Sequence, residues 1–167
     1  MRISLLVLAT VICVFLSLGC TGYNTGEQET EVSGMSAGEL YTHITEEDDY
    51  KGWSLMPGTG EKDPGQGVHG QMVTIHVSDE ALPAFENRTG SLSDGSIIVK
   101  EGYNASGELE QLVVMQKREN FAPESNDWFW ASYSPGGDVL VEGSVSACIN
   151  CHSNALANDY IFTGALS

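Results

Sequence analysis

The sequence predicts an α+β fold that is mainly β, built on an antiparallel sheet of about five strands flanked by short helices. The chain has 167 residues, of which 41% are apolar, so one domain can bury a core and the composition is not that of a disordered chain. Nineteen glycines and five prolines indicate many turns and favour short strands over long helices. Five strand-like segments also follow one another along the chain, and consecutive strands joined by short turns pair antiparallel.

The N-terminus is typical of an export signal. A short basic start is followed by residues 3–18, which carry no charge and are apolar or small. Gly19 directly before Cys20 resembles the bacterial lipoprotein processing site, where the chain is cut before the cysteine and the sulfur takes a lipid. We therefore expect residues 1–19 to be a lipoprotein signal peptide, with an ordinary cleaved signal or an uncleaved anchor helix as the alternatives. Lipidation of Cys20 would anchor the protein on the periplasmic side of a bacterial membrane or on the cell surface.

The charge of the chain restricts its partners. Seven basic residues against 23 acidic ones give a formal charge of −16. Arg2 leaves with the signal and no acidic residue precedes Glu27, so the mature chain keeps six basic residues and a charge of −17. Such a surface repels phosphate backbones and anionic lipid. We therefore expect no nucleic-acid partner, and contact with a membrane only through the lipid anchor.

A tether is predicted between the signal and the folded domain. Residues 20–35 are mostly polar and offer little to bury, which is typical of a flexible linker. The folded domain is predicted over residues 36–167. Ser36 and Glu39 have the spacing of a capping box, and apolar residues continue at helical spacing from Leu40, so a short helix begins here.

The strands follow a glycine-rich loop over residues 57–70. In the first strand Val73, Ile75 and Val77 alternate with more polar residues, which is the pattern of a strand with one buried face. The five predicted strands span residues 72–77, 96–100, 111–117, 128–133 and 139–141. A turn over Asn104–Gly107 predicts that the second and third strands form a hairpin.

The chemistry of the chain is concentrated in a Cys-x-x-Cys-His motif near the C-terminus. Cys148, Cys151 and His152 have the spacing of a c-type haem attachment site. On one helical turn, residues three and four apart share a face, so both thiols can form thioethers with one edge of the porphyrin. The adjacent histidine then supplies an axial imidazole to the iron. The sequence therefore predicts one covalently bound haem c on a short helix near the C-terminus.

Two other sites fit a Cys-x-x-Cys pair less well. A thioredoxin-type redox pair is expected in a βαβ domain, and that pattern is missing. A zinc site needs further ligands, but Cys13 leaves with the signal and Cys20 is the predicted lipid site, so the domain offers no other cysteine. The same count excludes a disulfide framework.

The sixth coordination position of the iron is predicted to be open. Fifteen residues follow His152, and none of them is Met or His. The possible ligands upstream of the motif fit the patterns of packing or loop residues better than that of an iron ligand. They are His43, His69, His76, Met35, Met56, Met72, Met115 and a lysine. His152 is then the only strong protein ligand, and the opposite face is left to small ligands such as NO, CO or hydroxylamine.

Several further segments match a known family. They are Val68-His69-Gly70, Ile98-Val99-Lys100-Glu101, Val113-Val114-Met115-Gln116-Lys117, Asp127-Trp128-Phe129-Trp130-Ala131 and Asn158-Asp159-Tyr160-Ile161-Phe162. With the late haem motif, they make the chain resemble the cytochrome P-460 family, which includes the branch called cytochrome c′-beta. The resemblance implies a twisted antiparallel sheet flanked by helices, with the haem packed on one side. It also implies a five-coordinate iron with His152 as its proximal ligand.

The resemblance leaves two activities open. In the enzyme that names the family, a lysine is crosslinked to the haem and hydroxylamine is oxidised, whereas cytochrome c′-beta lacks this activity. Lys100 is a weak candidate for the crosslink, and a surface or ion-paired lysine is the alternative. Glu101 is a weak candidate for a distal proton donor or acceptor, and an exposed partner of a lysine is the alternative.

These observations predict an exported, membrane-tethered monohaem c-type cytochrome with an open distal site. Its expected role is electron transfer, binding of small nitrogen oxides such as NO, or both. The alternatives are a hydroxylamine-oxidising enzyme with a lysine-crosslinked haem, and a haem module without a redox role. We expect a redox partner protein, and a homodimer is compatible with the sequence.

Overall fold

The computed structural model describes residues 34–167. The predicted signal peptide, the lipidation site at Cys20 and most of the predicted tether lie outside these residues. Met35, at the predicted end of the tether, is buried in a hydrophobic core, so packing begins one residue before the predicted boundary. Within residues 34–167, no helix has the length and apolar character needed to cross a membrane.

An antiparallel sheet of seven strands forms the centre of the fold. In chain order the strands are β1 (Ser54–Leu55), β2 (Asp63–Pro64), β3 (Met72–Val77), β4 (Ile97–Tyr103), β5 (Leu109–Lys117), β6 (Trp128–Tyr133) and β7 (Val139–Gly143). Their order in space is β1-β3-β4-β5-β6-β7, and β2 also pairs with β3. The predicted fold class and the five longer strands are confirmed. The two additional strands contain two residues each and pair with β3.

Three short helices accompany the sheet. They are α1 (Ala37–Thr42), α2 (Leu82–Asn87) and α3 (Ser146–His152). The predicted capping box is present at α1, since the Glu39 amide donates to Ser36 Oγ at 3.3 Å and the Ser36 amide donates to Glu39 Oε2 at 2.8 Å. Single π- or 3₁₀-helical turns occupy His43–Glu47, Tyr50–Gly52, Gly67–His69, Pro123–Ser125 and Ser153–Asn158.

Both faces of the sheet are covered, because strand residues alternate between two separate cores. We call the first the α1 core; it includes Leu40, Ile44, Val99, Leu112, Val114, Phe129 and Tyr133. We call the second the α3 core, because the helix with the cysteine motif packs on it. Its members include Ile75, Val77, Phe85, Ile98, Met115, Trp128, Trp130, Tyr160 and Ile161, with Cys148 and Ile149 packed against them.

Strand β4 positions two of the candidate site residues on opposite faces. It continues to Tyr103, three residues beyond the predicted end, so Lys100 and Glu101 are consecutive strand residues. Lys100 pairs with Ile75 of the α3 core, whereas Glu101 pairs with Thr74. The side chain of Lys100 therefore faces the α3 core, and that of Glu101 faces the α1 side.

Candidate haem site

Helix α3 holds the three residues of the cysteine motif together. Cys148 and Cys151 are free thiols one helical turn apart, and His152 follows at the end of the helix. Cys148 packs against the α3 core, Cys151 is exposed, and His152 is only 7% exposed. The helix therefore holds two free sulfurs one turn apart, with one buried imidazole directly after the second.

The imidazole of His152 is fixed by a backbone hydrogen bond. Its Nδ1 lies 2.7 Å from the Tyr160 carbonyl oxygen, so Nδ1 carries the proton and donates. Nε2 then keeps its lone pair, and no residue in 34–167 hydrogen-bonds to it. Burial lowers the pKa of His152, with an opposing contribution from the Tyr160 hydrogen bond. A neutral imidazole whose Nδ1 donates to a carbonyl is the form in which histidine binds a metal through Nε2.

Aromatic rings surround this imidazole. The ring centre of His152 lies 4.7 Å from that of Trp130 and 5.1 Å from that of Phe162. On another side the ring centre of His69 is 6.1 Å away, at an interplanar angle of 66°. Most of these rings are apolar, so charged groups near His152 are poorly solvated.

A cavity of about 500 Å³ opens beside Cys151 and His152. One wall is the glycine-rich loop with Val68 and His69, and another is the strand surface with Lys100. A smaller apolar recess continues it toward the α3 core, with walls that include Met56, Ile75, Ile98, Met115 and Trp130. The main cavity has the size of cofactor sites, which are about 300–1,000 Å³.

Lys100 lies in the wall of both the cavity and the recess. It is half-buried, and it forms no ion pair within residues 34–167. Burial lowers the pKa of its ammonium group below the ordinary value. The structure therefore places this amine beside His152, rather than on the surface in a salt bridge.

Glu101 lies away from the cavity. Tyr50 and Tyr103 donate their hydroxyls to its carboxylate at 2.9 and 2.7 Å, and His76 Nε2 is 3.5 Å away. Burial would raise the pKa of Glu101, but the hydrogen bonds from His76, Tyr103 and Tyr50 outweigh it and hold the pKa at about 2. The structure thus does not bring Glu101 to the candidate distal position, and its carboxylate links elements on the α1 side.

The sequence was compared with known proteins. A family model described as Cytochrome P460 matches residues 47–163, which include the sheet, Lys100 and helix α3. The chain belongs to the cytochrome P-460 family. No curated protein matches it at a significant level. Family membership supports a monohaem c-type cytochrome and implies a haem cofactor.

The residues of this chain fit such a cofactor. Cys151 and His152, with its free Nε2, line one cavity, and Cys148 lies one helical turn before Cys151, packed against the α3 core. Haem attachment uses this donor set. Trp130 Nε1 is buried beside His152 without a hydrogen-bond partner in residues 34–167, and such a donor is expected where a ligand completes a site. No group of three or more His, Cys, Asp or Glu side chains that could hold a metal ion occurs in residues 34–167.

The structure also separates the candidate sixth ligands. Four of them, His69, Met56, Met115 and the lysine at position 100, line the cavity or the recess. The others lie elsewhere: His43 beside Glu47, His76 beside Glu101, Met35 in the α1 core, and Met72 at the start of β3. The pKa of His69 is lowered to about 4, mainly by burial and to a smaller extent by the nearby Lys100 and His152.

Sequence reasoning missed three residues of the site. Trp130 and Phe162 were recognised only as parts of the family segments, although they contact the His152 ring. Tyr160 acts through its backbone carbonyl, which any residue carries, so no sequence signal marks it. Trp130 could have been assigned from strand alternation, since it shares a face with Trp128.

Proposed function

We propose that the protein is an exported, lipid-anchored cytochrome with one haem c, which transfers electrons and binds small nitrogen oxides such as NO. Thioethers to Cys148 and Cys151 hold the haem, and His152 is its proximal ligand. One observation carries this proposal. Cys151 and an imidazole with a free Nε2 line the same cavity, Cys148 lies one helical turn before Cys151, and the Tyr160 carbonyl fixes the orientation of that imidazole.

The chain's own residues support this role in two ways, beside the chemistry of the haem itself. A bound haem would supply a one-electron redox centre and an iron that takes up small ligands. The Tyr160 carbonyl holds the proton of His152 on Nδ1 and strengthens Nε2 as a donor. The buried Trp130 excludes water beside the imidazole, and a less polar surrounding shifts the potential of a bound redox centre.

A second candidate function rests on Lys100. An enzyme that oxidises hydroxylamine through a lysine-crosslinked haem needs an amine at the haem site. The Lys100 side chain lies in the cavity wall, and its lowered pKa makes the neutral, nucleophilic amine more accessible. The two functions predict different covalent states of Lys100. Only the second leaves Lys100 covalently bound to the haem after denaturation.

The proposed location and partners follow from charge and surface. The lipid on Cys20 would hold a strongly acidic domain near a membrane, so a redox partner with a basic surface is favoured. A second copy of the chain is the other proposed partner. Val139, Leu140 and Val141 of β7 are 43%, 57% and 39% exposed, and β7 has one neighbour in the sheet, β6.

A redox and ligand titration of the purified haem-bearing protein tests this function. Reversible oxidation and reduction, with binding of NO to the reduced form, is expected. His152→Ala should change the spectrum of both redox states, because it removes the proximal imidazole. His43, which lies away from the cavity beside Glu47, serves as the control, and His43→Ala should change neither. A protein that carries haem but neither cycles nor binds NO would contradict the proposed function.

A further inference from the structure

The guanidinium of Arg118 is buried on the α1 side of the sheet without an acidic partner. The residue is 4% exposed, and the central carbon of its guanidinium lies 3.4 Å from the ring centre of Phe129, a member of the α1 core. Nε donates to Gln116 Oε1 at 2.7 Å, whereas Nη2 is buried and has no hydrogen-bond partner in residues 34–167. No carboxylate of these residues forms an ion pair with Arg118.

A buried positive charge in this state calls for a partner. Burial lowers the pKa of Arg118 to about 10, against smaller opposing contributions from Tyr133 and Glu142. The guanidinium is therefore still charged at neutral pH, and buried charges in proteins are normally paired with an opposite charge. Glu142 is held elsewhere, since its carboxylate accepts from the Ala37 amide at 3.0 Å.

The direction of α1 shows where the chain enters the α1 core. The Tyr41 ring lies 2.7 Å from the place that a Cβ on Gly137 would take, in the turn between β6 and β7. Ala37, at the other end of the helix, donates to Glu142 near the end of β7. The end of β7 lies beside the start of β6, because the two strands are antiparallel. Followed toward the N-terminus, α1 therefore runs from the β6–β7 turn toward the start of β6.

The residues before α1 lead toward Arg118. Met35 is 7% exposed and belongs to the α1 core together with Phe129, the second residue of β6 and the ring under the guanidinium. Glu31 is four residues before Met35, so their Cα atoms are at most about 14 Å apart. Residues 20–33 contain three glutamates and no basic residue, and Glu31 is the glutamate nearest to the folded domain.

We propose that the segment before the folded domain docks on the α1 side, with the Glu31 carboxylate paired to Nη2 of Arg118. Glu31 lies outside the described residues, and the structure supplies the cation that receives it. The inference deepens the proposed lipid anchor and rests on it, because the contact fixes where the anchored segment leaves the domain. It limits the predicted flexible tether to residues 20–30.

This contact orients the domain on a membrane. Arg118 packs on the α1 core, whereas the cavity with Cys151 and His152 includes Lys100, which faces the α3 core on the opposite side of the sheet. A segment that runs from a lipid on Cys20 to Arg118 turns the α1 side toward the membrane. The haem cavity then faces away from the membrane, toward a partner in solution.

Urea unfolding of the exported, haem-bearing protein in detergent tests the contact through a double-mutant cycle. Glu31→Gln should raise the equilibrium constant of unfolding at least about tenfold, because a bond between two charged groups is lost. Glu27→Gln is the matched control, and it should change this constant less than about twofold. In an Arg118→Met background, which keeps an unbranched side chain over Phe129, Glu31→Gln should also have an effect of less than about twofold.

Glutamate-specific proteolysis of the folded parent protein is a second measurement, and it needs no variant. Cleavage after Glu31 should be at least about tenfold slower than cleavage after Glu27, since a glutamate that is paired for nine tenths of the time or more is open to the protease for a tenth or less.

Three outcomes overturn the proposal. They are a Glu31→Gln effect no larger than that of Glu27→Gln, a Glu31→Gln effect that persists in Arg118→Met, and equal cleavage after Glu27 and Glu31. The first and third are measured with Arg118 in place, so the proposal stays testable even if Arg118→Met does not fold. None of these measurements reports on the lipid or the iron. Failure of the proposed function is seen separately, as a chain without lipid on Cys20 or without covalent haem.

Discussion

A single buried carboxylate stabilises the segment that orients His152. Asp159 Oδ1 accepts from Lys117 Nζ at 2.7 Å and from Asn126 Nδ2 at 3.1 Å, and Oδ2 accepts from the Leu92 amide at 2.8 Å. The side chains of Asp159 and Lys117 are 1% and 12% exposed. The next residue is Tyr160, whose carbonyl binds His152, so loss of the carboxylate should reduce stability and loosen the imidazole together.

Asp159→Asn isolates the loss of this charge. The residue has φ 51°, a left-handed conformation that Asn tolerates, so the substitution adds little backbone strain. Removing one partner of a buried ion pair costs about 3–5 kcal/mol. Because Lys117 retains some access to water, we expect a loss of about 3 kcal/mol in the free energy of unfolding. Asp159→Ala should lose about 1–2 kcal/mol more, from left-handed strain.

Urea unfolding of the haem-bearing protein measures these losses. The pair of His43 and Glu47, 3.1 Å apart with side chains 18% and 63% exposed, supplies a matched control in which an exposed carboxylate also becomes an amide. Glu47→Gln should change the free energy of unfolding by less than about 0.5 kcal/mol. The reasoning is refuted if Asp159→Asn costs no more than this exposed control.

Three further predictions concern other parts of the molecule. The pKa of Glu101 is held at about 2, below its ordinary value of 4.5. The contribution of this carboxylate to the free energy of unfolding should therefore be present above pH 4.5 and be lost as the pH falls toward 2. Glu101→Gln should flatten this part of the pH dependence of unfolding. Gly102→Ala should destabilise the fold by about 1–3 kcal/mol in urea unfolding, because its Cβ collides with the His69 carbonyl oxygen, and an unchanged midpoint would contradict this contact. Cys20→Ser should move the protein from the membrane fraction to the soluble fraction after cell fractionation, and a variant that stays on the membrane would exclude a lipid anchor at this residue.

The longer strands could be predicted because their pattern is local. Alternating apolar residues and short turns identify β3 to β7 without knowledge of the rest of the fold. Strands β1 and β2 have two residues each and form only because both pair with β3. Helix α2 has six residues and no side-chain cap, so its sequence carries little helical signal.

The same distinction applies to the site. Cys148, Cys151 and His152 lie within five consecutive residues, so their spacing alone predicts their chemistry. The position of His69 depends on how the glycine-rich loop lies on the end of β4, which no local pattern specifies. Lys100 and Glu101 were assigned together as weak candidates, and the length of β4 decides that only Lys100 faces the cavity.

Intact-mass and peptide mass spectrometry of the exported, denatured protein tests the covalent attachment of the haem. We expect a chain heavier by one haem, with the haem on the single peptide that contains Cys148 and Cys151. Cys148→Ala/Cys151→Ala should lack this mass. Haem that is also bound to the Lys100 peptide would instead support the hydroxylamine-oxidising alternative. A chain without covalent haem, purified from cells that attach haem to a control c-type cytochrome, would contradict the account.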